Sequence, residues 1–224
     1  MMTLFQTNNF YIIKEAVDKK IIQFIYKYFL NKRKVAEYLY KHNKKIDPTL
    51  WGSWDDPQIP NTYSHHGDMA MDTLLQMCLP LMEKHTGKKL IPTYSYARLY
   101  KKGDVLARHK DRFSCEISTT LNLGGDLWSI FIEPNSEKGY ESEMYGYTPG
   151  YTKGKKVNLE QGDMLIYKGN ICEHWRNAFE GEICGQVFLH YNNKDTKGAE
   201  KNMYDGRPLL GLPKNYVMNN KNNS

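Results

Sequence analysis

No run of eighteen apolar residues occurs in the chain, which is about the least that a bilayer-spanning helix needs, so a membrane-crossing helix is excluded. The opening residues, "MMTLFQTNNF", lack a charged stretch followed by an apolar core. That absence argues against an export signal, and a soluble protein of the cytoplasm is expected. Cysteine is scarce: Cys78, Cys115, Cys172 and Cys184 fall without any CxxC spacing, which argues against a zinc ribbon or redox dithiol and for reduced thiols. A dense basic block is missing too. The 31 Lys and Arg against 25 Asp and Glu give a formal charge of +6, scattered along the chain and into the tail "NNKNNS", so charge permits nucleic-acid binding without indicating it. No internal repeat is visible, which excludes a solenoid.

What is present suits one domain, since 224 residues can bury most of the surface their unfolded chain exposes. Tyr (17) outnumbers Phe (8), as befits half-wet cavity walls where a ring packs and a hydroxyl bonds. In "AVDKKIIQFIYKYFLNKRKVAEYLYK" the apolar residues Ile21, Ile22, Ile25, Tyr26, Phe29 and Leu30 recur at helical spacing, predicting a long amphipathic helix with a break near Asn31. A second helix is predicted over "HGDMAMDTLLQMCLPLMEKHTG", ending at Gly87 and kinked or split at Pro80. From residue 94 the texture changes. Short β-rich runs ("YSYARLY", "VLARH", "CEISTTLNL", "LWSIFIE", "KKVNL", "DMLIY", "CGQVFLHY") alternate with glycine turns, the pattern of an antiparallel sandwich or barrel. The stretch "EPNSEKGYESEMYGYTPGYTKGKK" is too long for a tight hairpin and reads as a lid-like loop.

The chemistry sits in "DVLARHKDRF" and "GDMLIYKGNICEHWRN". If the first is extended, His109 and Asp111 at i and i+2 point to one side and can share a metal ion. His174, 63 residues beyond Asp111, can complete a set of two imidazoles and one carboxylate on one face of the metal. That set leaves positions open for a chelating keto acid and O2, as in oxygen-activating ferrous sites. HxD alone is a weak signal, for His66-Gly67-Asp68 repeats it; there, at a helix start, Asp68 is better read as an N-cap. A surface ion contact between His109 and Asp111 is the plainer alternative.

The runs "YSYARLYKKGDVLARHKDRFSCEISTTLNLGGD" and "VNLEQGDMLIYKGNICEHWRNAFEGEICGQVFLHY" resemble the prolyl 4-hydroxylase-like branch of the Fe(II)/2-oxoglutarate-dependent dioxygenases, over residues 90 to 192. Tyr100 and Gly103 ahead of HxD, a "TTLN" strand after it and a "GDMLIY" strand before the distal His stand in the family's order. The resemblance implies a mainly β fold, a double-stranded β-helix (jelly roll, cupin-like) with supporting α-helices. Its division would be helical support about 1–90, core about 91–192 and a C-terminal tail 193–224. It implies Fe(II) on His109, Asp111 and His174, 2-oxoglutarate as cosubstrate, O2 as co-reactant and ascorbate as a supporting reductant. It implies Tyr100 as a hydroxyl for 2-oxoglutarate, with Thr120 in place of a second family tyrosine.

One family feature is missing. The Arg or Lys that holds the far carboxylate of 2-oxoglutarate, about nine to eleven positions after the distal His, is replaced by Ile183, Cys184 and Gly185. Arg176, two positions beyond His174 and on the same side of an extended strand, is the substitute, because a buried carboxylate needs a cationic partner. Arg98 and Arg112 are the next candidates, and Arg112 could instead meet substrate. Gln186 and His190 read as supporting residues; His42, His65 and His85 join no constellation. The expected reaction is hydroxylation of a C–H bond, with proline in a peptide or as the free amino acid the first substrate. The alternatives are an AlkB-like nucleic-acid demethylase, whose late arginine pair is absent here, and a metal-binding jelly-roll module without turnover.

Overall fold

The computed structural model describes residues 2–216 except 43, 136 and 143–145; residue 1 and 217–224, with the tail "NNKNNS", lie outside the described residues. The chain opens with a short helix α1 (Leu4–Asn8), strand β1 (Phe10–Ile13) and the long helix α2 (Lys19–Lys41). Its buried stripe is Ile22, Ile25, Phe29 and Ala36. The expected break at Asn31 does not occur: Asn31 faces solvent, and apolar residues buried on both sides of it hold the helix straight through.

A short helix α3 (Pro48–Trp51) and strand β2 (Tyr63–His66) lead into helix α4 (Met69–Thr86). This helix also runs unbroken across Pro80. Pro80 sits on the exposed side, where the carbonyl deprived of its amide partner can bond water instead. Asp68 caps α4, accepting from the amides of Ala70 (2.9 Å) and Met71 (3.2 Å), as expected for the second HxD.

The β-strands follow: β3 (Leu90–Lys101), β4 (Leu106–His109), β5 (Ile117–Gly125), β6 (Ile130–Glu133), β7 (Tyr140–Ser142), β8 (Gly146–Thr148), β9 (Lys155–Val157), β10 (Met164–Tyr167), β11 (Glu173–Arg176) and β12 (Ile183–Asn193). They form a six-stranded sheet in the order β1-β10-β5-β12-β3-β2 and a four-stranded sheet in the order β4-β11-β6-β9, with β7 and β8 a separate hairpin. Every pairing is antiparallel. This is the expected jelly roll with supporting helices, except that the first ninety residues also supply two strands, β1 and β2, to the edges of the larger sheet.

Alternation in β5 divides the interior. Ile117, Leu121 and Leu123 face outward into the main core with Ile22, Phe29, Leu74, Leu75 and Met82 of α2 and α4, while Ser118 and Thr120 point between the sheets to polar partners. The inter-sheet layer is filled at one end by Ile130, Ile132, Val157, Leu165 and Tyr167 and at the other by Tyr100, Leu106, Trp128 and Phe179. Between them a cavity remains. No described residue of the stretch expected to act as a lid lines it; Arg108 and Glu173 instead hold described parts of that stretch against the smaller sheet, through Thr152 (2.6 and 2.7 Å), Tyr147 (2.7 Å) and the Gly150 amide (2.8 Å). The cavity mouth belongs to other segments, the loop around Asp56 and Gln58 and a C-terminal stretch reaching Lys214. Buried Arg207 moors that stretch by its pair with Asp72 of α4 (2.8 Å), and the Gly211 amide donates to the same carboxylate (2.8 Å). No described helix is long and apolar enough to cross a membrane.

Asp68 also accepts from Tyr28 (2.7 Å) and pairs with Lys32. Burial alone would raise its pKa, yet the bond to His65 and the charge of Lys32 outweigh that and hold it well below the usual carboxylate range. A carboxyl depressed on folding adds stability above its unfolded pKa of about 3.9, lost as pH falls through the folded value. Asp68→Ala is expected to cost about 2–4 kcal/mol near neutral pH in urea unfolding, through the lost cap and an abandoned buried ammonium. The gap from wild type should narrow progressively below about pH 4.

Candidate active site

The central device is one cross-strand pair. In the antiparallel pairing of β11 with β4, His174 stands opposite His109, and their rings lie 4.2 Å apart between centroids. Each imidazole donates from Nδ1 to a backbone carbonyl, His109 to Ala107 (2.7 Å) and His174 to Cys172 (3.1 Å). A carbonyl can only accept, so Nδ1 carries the proton and Nε2 presents a lone pair in both rings. Both Nε2 atoms face Asp111 Oδ1, at 3.6 Å from His109 and 3.4 Å from His174.

Asp111 is placed differently from the sequence expectation. Strand β4 ends at His109, and Asp111 sits in the turn beyond, fixed by its amide donating to Gly169 (2.9 Å). Its other oxygen, Oδ2, accepts from Ser118 (2.8 Å). Gly169 is obligatory for packing: a Cβ there would fall 2.4 Å from Asp111 Oδ2 and 2.3 Å from the Cys115 carbonyl. Burial alone would raise the Asp111 pKa, but the two histidines hold it well below the carboxylate range. The three side chains thus offer two nitrogens and one anionic oxygen within 4.8 Å of one another. Such a set can hold a divalent ion, and the protein contacts behind each donor are those that orient metal ligands. Asp111, Cys115 and His190 form an overlapping group, but Cys115 and His190 are buried, and burial pushes the thiol up to about 12 and the imidazole down to about 4.

Beside these donors lies the cavity, of about 290 Å³, lined among others by Tyr94, Tyr96, Tyr100, Leu106, Tyr167 and Phe188. Two positions along β11 from His174, Arg176 is buried and directed inward despite a bulge between them. It donates to the Trp128 carbonyl and to Thr120 Oγ1 (3.3 Å), and its guanidinium lies 4.9 Å from the Trp128 ring. No carboxylate meets it among the described residues, and burial pulls its pKa down. Its Nε and the Tyr100 hydroxyl, both shielded from solvent, have no hydrogen-bond partner among the described residues.

The other candidate cations differ. Arg98 is buried but paired with Asp56 (2.5 Å) and bonded to Gln58 (3.2 Å); Arg112 is half exposed and paired with Asp205 (3.1 Å). Thr120 holds Arg176 on one side and donates to Gln186 (2.9 Å) on the other. His190 meets the Ser118 hydroxyl at 3.0 Å. Sequence reasoning had passed over Tyr94 and Tyr96, although period-two spacing with Arg98 and Tyr100 on β3 carried the signal. Asp56, Gln58 and Lys214 gave none, since loops and a distant segment bring them in. Gln58 Nε2 lies 3.4 Å from His109 Nε2.

No protein-family model matches the chain, and no curated protein matches it in sequence. Solved structures do match. The non-haem α-ketoglutarate-dependent epimerase SnoN from nogalamycin biosynthesis superimposes with a TM-score of 0.59 at 14% identity, over 84% of this chain and 80% of its own. HygX from Streptomyces hygroscopicus, with nickel and 2-oxoglutarate bound, gives 0.55 at 14% over 86% and 85%. A prolyl-4-hydroxylase from Pseudomonas putida gives 0.50 at 12% over 85% and 95%. At such identities the likeness is one of architecture, and the chain has the jelly-roll fold of these iron- and 2-oxoglutarate-dependent enzymes.

Proposed function

We propose that the chain is a non-haem Fe(II)/2-oxoglutarate-dependent oxygenase, with His109, Asp111 and His174 as metal ligands and Arg176 as the partner of the distal carboxylate. The observation that carries this reading is the junction of two features in one cavity: three converging donor atoms and a buried guanidinium with no acid beside it. Arg98 and Arg112 already have carboxylate partners, so Arg176 is the cation an incoming anion would relieve. The solved neighbours that hold iron or nickel with 2-oxoglutarate favour the same pair of cofactors.

Bound iron and keto acid would supply the oxidising chemistry with O2, as in other sites of two imidazoles and one carboxylate. The chain's own residues do the rest. Ser118 and the Gly169 backbone aim Asp111; the carbonyls of Ala107 and Cys172 hold the two Nε2 lone pairs toward it. Arg176 offers a forked donor and Tyr100 a free hydroxyl to the keto acid, while Thr120 steadies the fork. Leu106, Tyr167 and Phe188 keep bulk water from the site. Hydroxylation at a prolyl ring is the first reaction to try, supported by the motif order around HxD and by the Pseudomonas putida neighbour.

The test is succinate formation from 2-oxoglutarate with Fe(II) and O2, together with the visible absorption that an iron–keto acid chelate develops anaerobically. Failure of both signals in folded protein would leave a jelly-roll module without turnover. Asp111→Ala should abolish both. Arg176→Ala should raise the 2-oxoglutarate concentration needed for half-maximal succinate by more than tenfold, and Arg176→Lys by less, a point charge replacing a fork; an unchanged requirement would remove Arg176 from the assignment. Ser118→Ala should weaken Co(II) binding, followed by absorption, by about 10–100-fold, as loss of a supporting contact does. Burial would lower the His109 pKa, but the bond and charge of Asp111 hold it above the ordinary imidazole value, so protons compete for its Nε2 and metal affinity should fall as pH drops through the histidine range.

A further inference from the structure

We propose that the substrate of this site is a small molecule bearing one negative charge, a carboxylate, received at the cavity mouth by Arg112 and Lys214. The inference rests on the oxygenase reading and deepens it. Arg112 follows Asp111 directly in the chain and lines the same cavity, which sets its charge close to the reacting centre. It is held in place: Asp205 accepts from Nη2 at 3.1 and 3.3 Å, and the guanidinium lies over the Tyr94 ring at 4.7 Å. Tyr94 is in turn stacked against His66 at 4.6 Å, and His66 Nε2 shares Asp205 at 3.0 Å. Asp205 therefore positions Arg112 from one edge and leaves Nη1 and Nε turned to no acid among the described residues.

The charges around the mouth set the sign. Asp56 is bonded to Arg98 and Tyr96, Asp205 balances Arg112, and Asp111, set against two neutral imidazoles, is the charge that the metal ion of the oxygenase reading would offset. Lys214 lines the cavity with no acidic partner among the described residues, leaving one positive charge unbalanced. One excess cation beside a preset planar fork suits a monoanionic carboxylate better than a phosphate dianion. The cavity, about 290 Å³, falls at or below the usual range of small-molecule sites, about 300–1,000 Å³. It must also admit the keto acid, so a short molecule fits where a peptide chain would not.

The experiment uses the full chain loaded with Ni(II) and 2-oxoglutarate, probed by ligand-observed NMR and calorimetry. The probes are free and N-acetyl amino acids, their primary amides, and phosphate monoesters of similar size. Acids should bind at least tenfold more tightly than their amide twins, and Arg112→Gln or Lys214→Gln should flatten that ratio to within about twofold. Equal signals from acids and amides, no signal from either, or a preference for phosphate esters overturns the proposal, as does a ratio that survives both substitutions. Iron-dependent succinate formation by the wild type without added substrate checks the oxygenase reading separately. If it is present while acids and amides behave alike, only the substrate inference falls.

Discussion

The antiparallel register between β4 and β11 is the constraint on which the rest of the site depends. It sets His174 opposite His109, and because side chains alternate along a strand it also turns Arg176 inward while sending Glu173 to hold the stretch around Gly150 on the far side of the sheet. A slip of one residue would carry His174 and Arg176 to the wrong face together. The two carbonyl bonds at Nδ1 then convert that register into chemistry by fixing which nitrogen of each ring is free.

The cavity floor and its mouth are built on different physical terms. On the floor, hydroxyls and carbonyls surround Arg176 without neutralising it, and among the described residues the cavity's acid on that side, Asp111, is turned to the imidazoles. At the mouth, two cations come already matched, Arg98 to Asp56 and Arg112 to Asp205, and Lys214 has no acid beside it among the described residues. An anion entering the floor therefore meets no competing carboxylate, whereas one at the mouth meets a field shaped by neighbouring acids. On this difference rests the proposed division between a place for a keto acid and a place for a second molecule.

Much of this was legible in the sequence because strands alternate and motifs cluster. The outward aliphatics and inward hydroxyls of "CEISTTLNL", the inward Arg176 and the capping role of Asp68 all follow from short-range rules. Continuity of α2 and α4 did not, since exposed Asn31 and Pro80 break helices only where packing does not overrule them. Asp111 was expected on the strand and lies past its end, fixed by Gly169, a contact without local signature. The least legible part was the C-terminal stretch. Arg207 finds Asp72 across 135 residues of chain, and nothing near either residue announces the pairing, so a segment that reads as a tail becomes a cavity wall.

The solitary guanidinium of Arg176 has a consequence for the folding equilibrium. A charge kept out of water without a counter-ion is a standing strain on the folded state, and any anion that settles beside it relieves that strain only in the native form. A small acid that reached this guanidinium would therefore harden the fold as well as occupy the site, by mass action alone.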